Sequence, residues 1–387
     1  MTEKTQYLQE EAAQMLQNVT VKTAYMCERN KNGIPYTVKD DGFYNNLDYM
    51  DENPDLGINW WTNGFFGGIL WQMYVKTRDQ SYLEMARVQE KKLDQCLELF
   101  EGIHHDAGFM WLLTAVADYK LTGWKEARIR GLHAATILAG RYNVNGKYIR
   151  AWNGPGGRDY GSVIIDSLMN MSLLHWAYEE TGDPRFRAIG VSHTDTIANY
   201  FVREDGSVKH IVKFNPETGE AEGSLGGQGY GHGSAWSRGQ AWALYGFTNA
   251  YRHTKQDSYL ELACKTADYF QRNLRTGDAA PIDFCQPAVE QYEDNSAACI
   301  AASGFLELAS LMDGEPARQQ QYADTAWRLL RRVYEKRCCL DCGRDELVLQ
   351  CAVSYRERED GPHTLIYADY FYLEALLKLR QQALQIW

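Results

Sequence analysis

The chain has 387 residues, of which 45% are hydrophobic and 24% charged, with a formal net charge of −11 at pH 7. That charge argues against nucleic acid or an anionic membrane surface as a partner, since both would repel it. No run of about 18 apolar residues occurs, and the opening MTEKTQYLQEEAAQ holds no apolar stretch of signal-peptide length, so the expected setting is cytoplasmic.

A first helix is expected from about Thr5 to Arg29. After it the chain repeats one design: a helix ending in an aromatic, a short polar turn, then a second helix. YVKTRDQSYLEMA (74–86), YEETGDPRFRAIG (178–190) and YRHTKQDSYLELA (251–263) are clear copies, with YKLTGWKEARIRG (119–131) and LMDGEPARQQQYADTA (311–326) looser ones. Asp with Thr or Gly in the turns supplies the stop and cap chemistry of a helical hairpin. SVKHIVKFN (207–215), followed by PETG, reads instead as a short β-hairpin inserted between helices. Nine scattered cysteines fit reduced thiols. The one dense group, Cys338, Cys339 and Cys342, has only Cys351 after it, whereas a zinc ribbon needs a second tight pair. YFYLEALLKLRQQAL (370–384) gives the last helix.

These elements add up to about twelve helices in alternating hairpins. The first helix of each pair is the more apolar, as in SVIIDSLMNMSLLHWA and SAACIAASGFLELASL, which suits an inner helix covered on most sides. The expected fold is therefore all-α, a closed (α/α)6 barrel with a small β-hairpin insertion, one domain over 1–387.

In such a ring the loops leading into inner helices open at one end. NWWTNGFFGGILW (59–71), HHDAGFMW (104–111), GGRDYGSVIIDSLMN (156–170), GSAWSRGQAWALYG (233–246) and YEDNSAACIAA (292–302) occupy that phase and hold most of the unusual Trp, His, Arg and Asp combinations. Together they predict an aromatic, polar mouth. Asp166 starts a helix that is otherwise core, and burial would keep its carboxyl protonated, as a general acid requires. A carboxylate capping the same helix would be shifted the opposite way. Asp106 is the second carboxylate, and close approach to Asp166 would keep one of the two neutral. Arg238, between Trp236 and Trp242, can offer a planar fork to a substrate carboxylate, although pairing with a structural Asp is as common. His105, His210 and His232 are further donors. No HExxH, phosphate loop or nucleotide fingerprint is present, and GGQGYGHG (226–233) follows no clear strand, so neither metal nor cofactor is expected.

With those motifs in view, the chain resembles the unsaturated glucuronyl hydrolases of glycoside hydrolase family 88. WTNGFFGGILW, HHDAGF, IIDSLMN, SAWSRGQAWALYGF and DYFYLEALLKL stand in the family's order, over a span from about Trp60 to the final helix. The resemblance implies an (α/α)6 barrel, no cofactor, and a small oligosaccharide ending in a 4,5-unsaturated uronic acid as substrate. It assigns Asp166 as general acid and base and Asp106 as the second essential aspartate. Trp61, His105, Trp152, His210, Gln228, Arg238 and Trp242 match its substrate-binding positions. Two departures touch the choice of leaving sugar. His232 stands where some relatives carry an acidic residue, and CAVSYRERED (351–360) lacks the serine and lysine pattern of members that accept sulfated sugars. The competing readings are an unsaturated rhamnogalacturonyl hydrolase, a sugar epimerase using His210 and His363, and a glycan-binding barrel without catalysis.

Overall fold

The computed structural model describes residues 3–53, 55–100, 102–154, 159–359 and 363–387. The first residues of the 156–170 segment and Asp360 of CAVSYRERED lie outside the described residues.

Each of the expected turns joins two antiparallel helices. The pairs are α2 (Phe65–Thr77) with α3 (Gln80–Leu99), α7 (Ser167–Thr181) with α8 (Pro184–Phe201), α9 (Ser237–Thr254) with α10 (Asp257–Arg272), and α11 (Asn295–Ser310) with α12 (Pro316–Arg337). In the remaining pair the first rod is α4 (Ala107–Trp111), a π-helical turn at Leu112–Val116, and α5 (Ala117–Thr122), followed by α6 (Lys125–Gly140). The N-terminal α1 (Glu3–Asn30) packs on α13 (Ile366–Leu379) and completes the last pair. The turns use the chemistry read from their sequences. Arg78, Gly123, Gly182 and Lys255 take left-handed conformations that end α2, α5, α7 and α9. Asp79 and Asp183 then accept from the amides of Ser81 and Arg185 to start α3 and α8.

The first helices of the pairs form a closed inner ring. α2 packs on the π-helical turn, α4 on α7, α7 on α9, α9 on α11, α11 on α13, and α13 back on α2. This is an (α/α)6 barrel, and it explains why the inner helices lack a polar face. In α13 every residue from Ile366 to Leu377 is buried. Small residues allow the approach: a Cβ on Gly246 of α9 would sit 2.4 Å from the Leu168 Cβ of α7.

Three small antiparallel sheets decorate the ring: β1 (Pro35–Val38) with β2 (Tyr44–Asn46), β3 (Tyr142–Asn143) with β4 (Tyr148–Ile149), and a three-stranded sheet of β5 (Ser162–Ile164), β6 (Ile211–Phe214) and β7 (Ala221–Leu225). The expected hairpin is β6–β7. Ser162–Ile164, read from the sequence as the head of an apolar inner helix, form β5 instead, and the pairing of this strand is the part that positions the site. Ile164 lies opposite Ile211, and the Ile165 amide donates to the His210 carbonyl at 3.0 Å, so the strand pair sets Asp166 next to His210. The last helix also differs from expectation. It starts at Ile366 and stops at Leu379, after which the chain turns and buries Trp387 against Phe371 inside the ring, with ring centroids 6.0 Å apart. No helix among the described residues is long and apolar enough to cross a membrane.

Candidate active site

A cavity of about 490 Å³ opens among the loops that precede α2, α4 and α7, closed on one side by β6 and the glycine-rich segment. It brings together Trp61, His105, Asp106, Trp152, Asp166, His210 and Gln228 of the expected residues.

The two aspartates begin adjacent inner helices, and neither side chain caps its own helix. Their environments push them apart. Asp166 Oδ1 is buried with no hydrogen-bond partner among the described residues. Burial, reinforced by the negative charge of Asp106 and only partly offset by His105 and Arg238, lifts the Asp166 pKa to about 7. Burial acts on Asp106 in the same direction, but there it is outweighed. His105 Nε2 stands 3.3 Å from Asp106 Oδ2, and this contact, with the charges of His104 and Arg141, holds Asp106 below the usual carboxylate range. Near neutral pH one carboxyl can thus donate a proton while its neighbour is ionised.

His210 lies against Trp236 with ring centroids 4.2 Å apart and planes inclined by 42°, and its Nδ1 accepts from the Gln228 amide at 3.0 Å. Burial draws its pKa down to about 3, so the ring is neutral with its proton on Nε2, available as a donor. This contact requires glycine at 227, where φ is +58° and a Cβ would fall 1.9 Å from His210 Nδ1. Gln228 is anchored in turn by Nε2 donating to the Val353 carbonyl at 3.0 Å. Trp61 leans on Tyr367 and Phe109, and Trp152 packs on Ala151, Ile164 and Ile211.

The structure places two of the expected residues behind the cavity wall instead of on it. Arg238 is buried, with Nη1 on Asp294 Oδ2 at 2.7 Å and Nη2 on the Val353 carbonyl at 2.7 Å, flanked by Trp236. A guanidinium so occupied has little left for a ligand. The sequence shows its aromatic neighbours but not Asp294, which is 56 residues away. Trp242 is fully buried among Phe109 and Phe371. His232 is exposed outside the lining. His363 lines a different cavity, with Glu293 and Cys351, and so does not face His210 across one pocket.

Sequence reasoning missed Asn53, Asp55 and Leu56, which form the rim, and Arg141. Asp55 holds His104 through a 2.7 Å contact. The buried Arg141 donates to the carbonyls of Ile103, Arg150, Ala151 and Trp152 and to Asn153 Oδ1, fixing the loop that carries Trp152. No periodicity or motif marks these residues. Among the described residues no Lys or Arg lines the cavity, and no group of three or more His, Cys, Asp or Glu could hold a metal ion. The nine cysteines are all free thiols.

Comparison with known proteins places this geometry. The family model for Glycosyl Hydrolase Family 88 matches residues 35–276, a stretch that includes both aspartates. The chain belongs to that family. An unsaturated glucuronyl hydrolase from Bacillus sp. (strain GL1) is 35% identical over 343 residues, covering 87% of this chain and 89% of the relative. An unsaturated chondroitin disaccharide hydrolase from Streptococcus pneumoniae is 32% identical over 86% of this chain and 88% of its own length. A solved structure of unsaturated glucuronyl hydrolase from Streptococcus agalactiae superposes with a TM-score of 0.87 at 29% identity, over 97% of this chain and 94% of that one. As a family 88 member the chain is a glycosidase of (α/α)6-barrel fold.

Proposed function

We propose that this enzyme removes a 4,5-unsaturated glucuronic acid from the non-reducing end of lyase-generated oligosaccharides, with glycosaminoglycan-type fragments favoured. The observation that carries the reading is the split pair: Asp166 protonated near neutral pH beside an ionised Asp106, in a cavity walled by Trp61 and Trp152.

The C4=C5 bond of such a sugar is an enol ether, so protonation at C4 places positive charge on C5 and the ring oxygen. Asp166 gives that proton and becomes a carboxylate. Water adds its oxygen to C5 and returns a proton to Asp166, leaving a hemiketal. The hemiketal opens to a ketone at C5 as its hydroxyl proton passes to the ring oxygen, and the hemiacetal so formed at C1 collapses to an aldehyde while the sugar held there leaves with the proton. An ordinary glycosidase needs two carboxyls, one at the glycosidic oxygen and another acting at C1. Here one carboxyl serves both proton transfers. Asp106 holds ring hydroxyls and, by its charge, keeps Asp166 protonated until C4 is in reach. The substrate carboxylate meets neutral donors, His210 Nε2–H foremost, with Arg238 acting from behind the wall.

The twin aspartates and the remote His363 weigh against an epimerase. The free thiols support a reducing, cytoplasmic setting. Loss of ultraviolet absorbance from the conjugated double bond, compared on chondroitin-type and pectin-type unsaturated disaccharides, tests the reading. Faster loss on the pectin-type sugar favours the rhamnogalacturonyl alternative, and binding without loss on either makes the barrel a non-catalytic receptor.

A further inference from the structure

A second cavity, of about 540 Å³, abuts the catalytic one. The two share Asn53 and Asp55 in their walls. Two features set the second cavity apart. First, it carries aromatic rings that face water: Phe100 is 62% and Tyr160 41% exposed. Large exposed rings at the lip of a polar cavity are platforms for the apolar faces of sugars. Second, it holds a guanidinium with capacity to spare. Arg150 stacks over the Tyr160 ring at 4.3 Å, and its side chain makes no ion pair among the described residues. Nearly every other arginine near the site is engaged. Arg141 spends its donors on the 103–153 loops, and Arg238 is clipped to Asp294. Among the described residues the one carboxylate in this wall is Asp55, which is directed to His104 at 2.7 Å and makes no ion pair with Arg150. A half-buried fork pre-oriented on a ring is suited to a planar or tetrahedral anion.

We propose that Arg150 and Tyr160 form a distal subsite for an anionic sugar of the leaving group, one bearing a carboxylate or a sulfate. The inference rests on the hydrolase reading above and deepens it, from a terminal uronate to an acidic oligosaccharide longer than a disaccharide. The second cavity takes the sugars beyond the bond that breaks, and Arg150 selects for charge there.

The test measures kcat/KM for the parent and for Arg150→Ala on an unsaturated disaccharide and on three unsaturated tetrasaccharides, whose distal sugars are neutral, uronate-bearing or sulfated. Arg150→Ala is expected to lose about tenfold more on an acidic tetrasaccharide than on the neutral one, equivalent to about 1.4 kcal/mol. The acidic substrate that suffers the larger loss identifies the anion. Arg150→Lys is expected to recover only part, and Tyr160→Phe, which keeps the ring, to stay near the parent. The disaccharide rate of each variant reports intact folding. An equal loss on all four substrates would overturn the subsite. Calorimetric binding of a saturated acidic tetrasaccharide separates this outcome from a failure of the hydrolase reading. If the parent cleaves nothing yet binds that sugar in an Arg150-dependent way, the subsite stands and the reaction falls. Parent binding that Arg150→Ala leaves unchanged overturns it.

Discussion

Replacing Asp166 by Asn separates catalysis from stability, and the structure gives both effects a sign. Asn keeps the shape and volume but cannot donate or accept the transferred proton, so turnover is expected to fall below a tenth of the parent rate. The stability effect follows from burial. In the folded protein the Asp166 pKa stands at about 7 against 3.8 for the free side chain, so the folded state binds the proton more tightly. Its contribution is therefore fully favourable below about pH 4, declines as pH rises toward 7, and is level above that. At ~1.36 kcal/mol per pH unit the rise caps the cost of the ionised form at about 4 kcal/mol. Asp166 is partly open to the cavity, and water there screens the charge, so about 2 kcal/mol is the expected size. Urea midpoints of parent and Asp166→Asn are expected to lie nearest each other at about pH 3.5, below the unfolded pKa, and to diverge progressively by pH 8, the variant gaining stability relative to the parent. Taking the difference between the two proteins cancels other buried acids such as Asp369 and Glu90, whose pKa values are also raised. A difference that does not change with pH would refute the burial of Asp166, and an Asn variant with parent-like turnover would refute its role.

The neighbouring carboxylate gives a kinetic counterpart. Asp106 raises the Asp166 pKa by its charge, so in Asp106→Asn the alkaline limb of kcat should move to lower pH, with activity strongly reduced; an unmoved limb in the residually active variant means that the two do not interact. Truncating Arg238 strands Asp294, which is fully buried, so Arg238→Ala is expected to cost about 3–5 kcal/mol of stability by denaturant titration, with Asp294→Asn in the same chain restoring part of it. A raised KM with unchanged stability would instead make Arg238 a direct ligand of the uronate.

Much of the architecture can be read from the chain because its signals are local. A left-handed stop at Arg78 or Gly182 and an Asp cap one residue on are neighbours in sequence, and the same grammar recurs around the ring. The phase of the inner helices then points to Asp106, His105 and Asp166 without any distance being known. What stays hidden depends on partners far apart in the chain. Arg238 pairs with Asp294, Gln228 with Val353, and β5 with β6 across the whole of α7 and α8. β5 is only three residues long and runs directly toward a helix, so its alternation is too short to read. Arg141 illustrates the same limit: its partners are almost all carbonyls, which every residue possesses and no sequence advertises.

The π-helical turn at Leu112–Val116 acts as a spacer in the rod that begins at Asp106. One extra residue in an α-helical path rotates everything on one side of it by about 100° relative to the other. Gly108 above the turn packs against Asn170, and Asp118 below it pairs with Arg87 of α3. Those two engagements are with different neighbours, α7 and α3, and the extra residue lets one rod serve both. Removing a single residue between Leu112 and Val116 would relax the turn to an ordinary helix, still apolar and still the right length to span the ring. The clamp at Asp118 would then swing the upper end round, and Asp106 would leave the cavity while the barrel stayed closed.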